Sequence, residues 1–134
     1  MENKNARKVV ALVLQRSDGK ILLLKRSSDR VYDPNKWSVA TGHIKDGEQP
    51  HETAIRELKE ELGVDAKPVK EGRLVVVGSY QKPLHVHTFL FSVDLLKVEL
   101  DTEHSDYLWI EPKDVYNYDR VDKLEDDLSA LDLL

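Results

Sequence analysis

The sequence predicts an α/β fold, and three features carry that reading. Val9 to Leu14 is an unbroken apolar run, the pattern of a strand buried on both faces. Pro50 to Leu62 carries a helical apolar stripe between a helix-opening proline and a helix-closing glycine, Gly63. Val121, Leu124, Leu128 and Leu131 fall at i, i+3, i+7 and i+10, the stripe of a C-terminal amphipathic helix.

The remaining elements follow in order. Ser17-Asp18-Gly19-Lys20 is a tight-turn signal, so Ile21 to Leu24 should return antiparallel as a hairpin. Residues 27–36 (SSDRVYDPNK) read as a loop. Trp37 to Ala40 is a short strand that delivers the chain to Gly42. In the helix that follows, Pro50 occupies the first turn, where a missing N–H costs nothing and φ is already near the helical value. Gly63 suits the left-handed position that closes the last turn. Ala54, Ile55, Leu58 and Leu62 share one stripe, which should face a core. Leu74 to Val77, Val86 to Val93 and Leu108 to Ile110 read as further strands, and Pro112 to Val115 as a helical turn. There is no internal repeat, low-complexity segment or linker, so 1–134 reads as one domain. The C-terminal stripe should pack on the sheet, with a dimer contact as the alternative, which leaves monomer and homodimer both open.

Composition narrows the class. The chain is 34% charged and 40% hydrophobic, as a soluble globular protein is. A formal net charge of −5 argues against stable nucleic-acid binding, which needs a basic face. It does not argue against a nucleotide, because a bound cation can supply the local positive field. No run approaches a membrane span and no signal-peptide pattern opens the chain, so a cytoplasmic location is expected. With no cysteine, disulfides and thiol catalysis are excluded.

The chemistry concentrates between Gly42 and Val64. Glu57, Glu60 and Glu61 stand at i, i+3 and i+4 and share a helix stripe. Like charges at that spacing cost an isolated helix roughly 0.2–0.5 kcal/mol per pair. Arg56 and Lys59 offset part of this, with Arg56 directed away from the centre of the stripe. A hard divalent cation would turn the repulsion into attraction, and Mg²⁺ takes a few carboxylates and completes its shell with water and substrate phosphates. The five histidines show no zinc-finger spacing. The bland alternative is a solvated acidic face, which three glutamates alone would favour. The glycines, the loop glutamate and the arginine at fixed offsets reverse that preference.

Those offsets are Gly42, five residues, Glu48, seven residues, then Arg56-Glu57-Leu58-x-Glu60-Glu61-x-Gly63-Val64. They resemble the Nudix hydrolase box at every specified position. The resemblance implies an α/β/α sandwich around a mixed sheet, with the box as a loop–helix–loop that holds Mg²⁺ or Mn²⁺. It implies hydrolysis of a nucleoside diphosphate linked to another group, by water attack on a phosphorus of the pyrophosphate. Carried over residue by residue, Glu57, Glu60 and Glu61 look like the metal ligands, with the Gly42 carbonyl as a further one. Glu57 is alternatively the base. Arg56 looks like the residue that orients the glutamates, through a charge-assisted contact with Glu48. Glu103, in a polar loop before an apolar strand, resembles a late-loop catalytic acid of relatives, the alternative being a plain surface loop. Asp106 and His104 are weaker candidates for the same role.

The substrate clues lie outside the box. Arg26, Arg30, Lys36 and Lys45 flank it in sequence; arginine forks or lysine charges on one or two of them suit phosphates, the alternative for any one being a solvated loop charge. Trp37 could stack on a ring or belong to the core, whereas Trp109 reads as core. His85 and His87 share a strand face with Phe89 and Phe91, lining the cleft or closing the sheet edge. Tyr80, downstream of the box, resembles the nucleotide-contacting tyrosine of diadenosine polyphosphate hydrolases. The segment Trp37 to His43 lacks the Pro-Gly-Gly run of many relatives and looks more like the isopentenyl diphosphate isomerase branch, but the catalytic cysteine of true isomerases is missing. The expected partner is thus a small nucleotide or diphosphate substrate: a dinucleoside polyphosphate, a nucleoside triphosphate or a nucleotide sugar. A non-catalytic nucleotide sensor of the same fold is the alternative, disfavoured by the intact acids.

Overall fold

A computed structural model of the chain describes residues 6–94 and 97–134. Its strands are β1 (Arg7–Gln15), β2 (Ile21–Arg26), β3 (Trp37–Ser38), β4 (Ala40–His43), β5 (Lys70–Glu71), β6 (Val75–Gly78), β7 (Pro83–Ser92) and β8 (His104–Ile110). Helix α1 spans Pro50–Leu62, a 3₁₀ turn spans Pro112–Asn117, and α2 spans Leu124–Ala130. The eight strands form one mixed sheet. β1 and β7 run parallel along their whole length, from Arg7↔Leu84 to Gln15↔Ser92. Every other pairing between these strands is antiparallel, and an isolated parallel bridge joins Trp37 to Arg120. β3 pairs with β2 and β4 pairs with β1, so the chain from Trp37 to His43 steps from one strand to the next.

The side-chain period of two divides β1 between two cores. Val10, Leu12 and Leu14 face α1, where they meet Phe89, Phe91, Ala54, Leu58 and Leu62. Val9, Ala11 and Val13 face the other way, toward Val121, Leu124, Leu128 and Leu131. The result is an α/β/α sandwich with an apolar layer on each side of the sheet. Full burial of one such leucine, Leu58 or Leu124 for example, stabilises the fold by about 1.5–3 kcal/mol.

α1 starts and stops for local reasons. The Gln49 N–H donates to Glu52 Oε1 at 3.1 Å, one half of a capping box. Gly63 takes a left-handed φ of 68° and its N–H closes onto the Lys59 carbonyl at 3.0 Å.

Several elements differ from the sequence reading. Trp37 to Ala40, read as one short strand, is divided into β3 and β4 because Trp37 and Ser38 pair with β2 whereas Ala40 begins the pairing with β1. β7 opens at Pro83, where a strand's first residue can lack an N–H without loss. β8 opens at His104 because its backbone continues to pair with β2 through residues too polar to read as a strand. β5 is a two-residue pairing of Lys70 and Glu71 with β7, without apolar alternation to announce it. Among the described residues, no helix is long and apolar enough to cross a membrane.

Candidate active site

The end of β4 meets the inner face of α1. Gly42 pairs with Val10 of β1, and the Glu57 side chain crosses directly over it. A Cβ on Gly42 would stand 2.2 Å from Glu57 Cγ, so the approach requires glycine.

Arg56 organises the acids. Its Nε and Nη2 donate to Glu48 Oε2 and Oε1 at 2.8 and 2.9 Å, while Nη1 donates to Glu57 Oε1 at 2.9 Å and Glu60 Oε2 at 3.1 Å. Nη2 also reaches the His43 carbonyl at 3.2 Å. The expectation that Arg56 points away from the acidic stripe is therefore corrected, since the long side chain folds back across it. Glu48 accepts from Thr53 Oγ1 at 2.6 Å as well. These donors, the arginine first, hold its carboxyl down at about 2.

Glu61 has the opposite environment. Among the described residues its Oε2 is buried without a hydrogen-bond partner. Burial, reinforced by the charges of Glu57, Asp101, Glu103 and Glu60, pushes its carboxyl up to about 9. Carboxylate oxygens of Glu61, Asp101 and Glu103 all lie within 4.8 Å of one another. Burial also raises Glu57, with Arg56 acting against it. A buried carboxylate with an unpartnered oxygen, clustered with two more acids, fits a cation, and an all-oxygen donor set fits a hard divalent one.

A cavity of about 250 Å³ gathers Gly42, Glu57, Glu61, Glu103, Lys45 and Arg30. Glu60 is tied to Arg56 and is the more exposed glutamate of the set, at 54%. Arg30 lies 3.3 Å from Glu103. Thr41 is shared with a second cavity of about 360 Å³ on the α2 side of the sheet. Val77 and Leu84 give that cavity an apolar wall, and Asp122 and Lys123 line it as well.

The other residues singled out from sequence fall elsewhere. Arg26 lines the α2-side cavity, and its guanidinium donates to the Tyr32 carbonyl at 3.0 and 2.8 Å. Trp37 packs on the α2-side core, edge-on to Tyr118 with ring centroids 6.1 Å apart. His87 and His85 line a separate cavity on the α1 face, reached past Lys45, where burial holds the His87 imidazole below its usual range. Tyr80 is 89% exposed in the β6–β7 turn. Asp106 accepts from the Tyr107 N–H, while His104 Nδ1 lies 2.7 Å from Asp101 Oδ1 and so orients that acid. Asp101 joins the site without a motif to mark it. Its only sequence signal is a place two residues before Glu103, whose N–H it accepts at 3.1 Å.

A family model for the NUDIX domain matches residues 4–131. Nucleoside triphosphatase NudI of Escherichia coli is 26% identical over 128 residues, covering 84% of this chain and 87% of the relative. The MutT protein of Methanosarcina mazei Go1 superimposes with a TM-score of 0.82 at 23% identity, over 98% of this chain and 96% of that one. A C. elegans Ap4A hydrolase, solved as a binary complex, does so with a TM-score of 0.74 at 26% identity, over 94% and 95%. Since the family match runs through both cores and every acid of the cavity, the class is a pyrophosphohydrolase. The chain belongs to the Nudix family.

Proposed function

We propose that this protein hydrolyses a phosphoanhydride bond of a nucleotide with Mg²⁺ as its cofactor, Mn²⁺ being the natural substitute. The observation that carries the reading is the buried Glu61 carboxylate, its Oε2 unpartnered among the described residues, clustered within 4.8 Å of Asp101 and Glu103. Glu57, Glu60, Glu61 and the Gly42 carbonyl would hold the cation. When bound, it neutralises charge on the bridging and leaving oxygens of the substrate.

The chain's own groups do the rest. Arg56 fixes the carboxylates of Glu57 and Glu60 through paired donors, with Glu48 bracing the guanidinium. Lys45 and Arg30 line the cavity and meet phosphate oxygens. Glu103 accepts a proton from the attacking water as the water oxygen bonds to phosphorus and the bridging P–O bond breaks. Glu57 is the second candidate for that proton. The nucleoside lies in the α2-side cavity beyond Thr41, its base against Val77 and Leu84. A nucleotide substrate is also what the names of the E. coli and C. elegans relatives suggest.

The test is a Mg²⁺-dependent hydrolysis screen over nucleoside triphosphates, dinucleoside polyphosphates, ADP-ribose and nucleotide sugars, run beside Glu61→Gln. Cleavage by the wild type, with loss of orders of magnitude in a folded variant, is expected. Full activity in Glu61→Gln would overturn the cation assignment.

A further inference from the structure

Resting on that reading, we propose that the substrate has two organic ends: it is a dinucleoside polyphosphate whose second nucleoside stacks on Tyr32, in a subsite walled by Arg7 and Arg30. A cavity of about 550 Å³ lies there, within the range of small-molecule sites. It meets the acid cavity at Arg30 and Glu103, and the acid cavity meets the α2-side cavity at Thr41. The acids are therefore the middle of three adjoining cavities that share wall residues. A substrate whose phosphates occupy the middle has room for an organic group on each side. A nucleoside triphosphate has one such group and fills one side only.

Tyr32 is 75% exposed and Val31 beside it 87%. Exposure of single apolar residues is ordinary. What distinguishes Tyr32 is that its backbone is pinned while its ring is left free. Arg26 spends both Nε and Nη2 on the Tyr32 carbonyl. The Ser27 N–H donates to the Glu103 carbonyl at 2.9 Å and Ser27 Oγ to the Thr102 carbonyl at 3.1 Å, which ties the loop to the acid-bearing turn. The loop returns through Asp33 and Asn35, at φ 50° and 63°, a left-handed conformation these two residue types take more readily than others. A side chain whose backbone is already fixed beside the reacting centre has less freedom to lose on binding, and aromatic platforms of this kind accept any base because every base has a π-face.

The charges agree with a polyphosphate linker. Lys45 and Arg30 line the acid cavity, and Arg30 continues into the Tyr32 cavity, where Arg7 joins it. Arg7 is also 3.3 Å from His43, a residue of the acid cavity, so cationic and imidazole groups run from one space to the next. Asp29, which also lines this cavity, can accept a ribose hydroxyl.

The experiment compares kcat/KM for bis(adenosine) tetraphosphate with that for ATP in the wild type, Tyr32→Ala and Tyr32→Phe. The ratio of the two should fall about tenfold or more in Tyr32→Ala, since stacking is lost, and stay near wild type in Tyr32→Phe, which keeps the ring. An unchanged ratio, or an equal fall with both substrates, would overturn the subsite. Calorimetric Kd values for a methylene-bridged, non-hydrolysable bis(adenosine) tetraphosphate and the matching ATP analogue give a second readout. Tighter binding of the two-ended ligand by about tenfold, erased in Tyr32→Ala, supports the subsite even if no turnover is seen, and in that case it is the hydrolytic reading that fails. Equal Kd values in the wild type would sink the subsite while leaving hydrolysis standing.

Discussion

Arg56 grips Glu48 at two points, Nε to Oε2 at 2.8 Å and Nη2 to Oε1 at 2.9 Å, and its remaining nitrogen reaches Glu57 and Glu60. One planar cation thus aims three carboxylates that would otherwise repel. A lysine has the charge but no fork, so Arg56→Lys is not conservative here. We expect Arg56→Lys to weaken Mg²⁺ or Mn²⁺ binding about 10–100-fold, as loss of a ligand-orienting partner does. Activity titrated against metal, with calorimetry on the same samples, reads this directly. Unchanged affinity would mean that the arginine supplies charge alone.

Glu61 makes stability depend on pH in an unusual direction. Its carboxyl is raised from 4.5 to about 9, first by burial and then by neighbouring acids. Between those values the folded, metal-free protein holds a proton that the unfolded chain has released. Stability from this group is fully present below pH 4.5 and is lost as pH rises toward about 9. The chelated protein should therefore show a Tm that falls across this window, and Glu61→Gln should flatten the fall. Added Mg²⁺ should restore Tm most at the alkaline end, because ligands bind as deprotonated groups. A Tm that rises with pH in chelator would contradict the burial of Glu61.

Gly42→Ala tests the close approach of strand and helix. The new Cβ would meet Glu57 Cγ at 2.2 Å and Cδ at 2.3 Å, and the carboxylate must move. A displacement near 1 Å at a reacting centre costs about 100-fold in rate, so kcat should fall by about that much. Circular dichroism should show the fold retained, since the side chain and not the sheet gives way. Wild-type turnover would show that Glu57 has no fixed position to lose.

Much of this was legible in the chain, and the limits are physical. α1 could be read because proline, a helical stripe and glycine mark it locally. β1 could be read because a run buried on both faces needs no partner to identify it. β5 could not, since Lys70 and Glu71 become a strand only by pairing with Leu90 and Phe89. Asp101 escaped for a similar reason. A lone acid in a polar loop carries no signal until β8 pairs with β2 and brings it within 4.8 Å of Glu61. From its place in sequence Arg26 is either a phosphate contact or a solvated loop charge, whereas its two bonds to the Tyr32 carbonyl depend on how the loop of residues 27–36 returns.

Glu103→Gln separates the two candidates for the proton acceptor. Glutamine keeps the shape and accepts hydrogen bonds, but it cannot take the proton of water. We expect kcat to fall about 10²–10⁴-fold, the usual contribution of a positioned base. Glu57→Gln should weaken metal binding instead, seen as a shift in the metal titration. If Glu103→Gln kept its rate, the proton would go to Glu57.

A last prediction concerns the α2 side. Lys123 Nζ pairs with Asp127 Oδ2, and Asp127 is fully buried, with Oδ1 unpartnered among the described residues. Burial raises its carboxyl, and only the lysine acts strongly against that. Removing one member of a buried pair leaves an uncompensated charge, so Lys123→Ala should cost about 3–5 kcal/mol in denaturant unfolding, or less if Asp127 takes up a proton. That escape has its own signature, because the variant would lose stability as pH rises and the carboxyl is forced to ionise. Lys123→Ala with Asp127→Asn should recover most of the loss, since a neutral amide needs no counter-charge. Lys123 also lines the α2-side cavity. The double variant should therefore fold like the wild type yet bind the nucleoside end less well, read as a raised KM with kcat held. An unchanged KM would remove Lys123 from the substrate path and leave it a purely structural partner of Asp127.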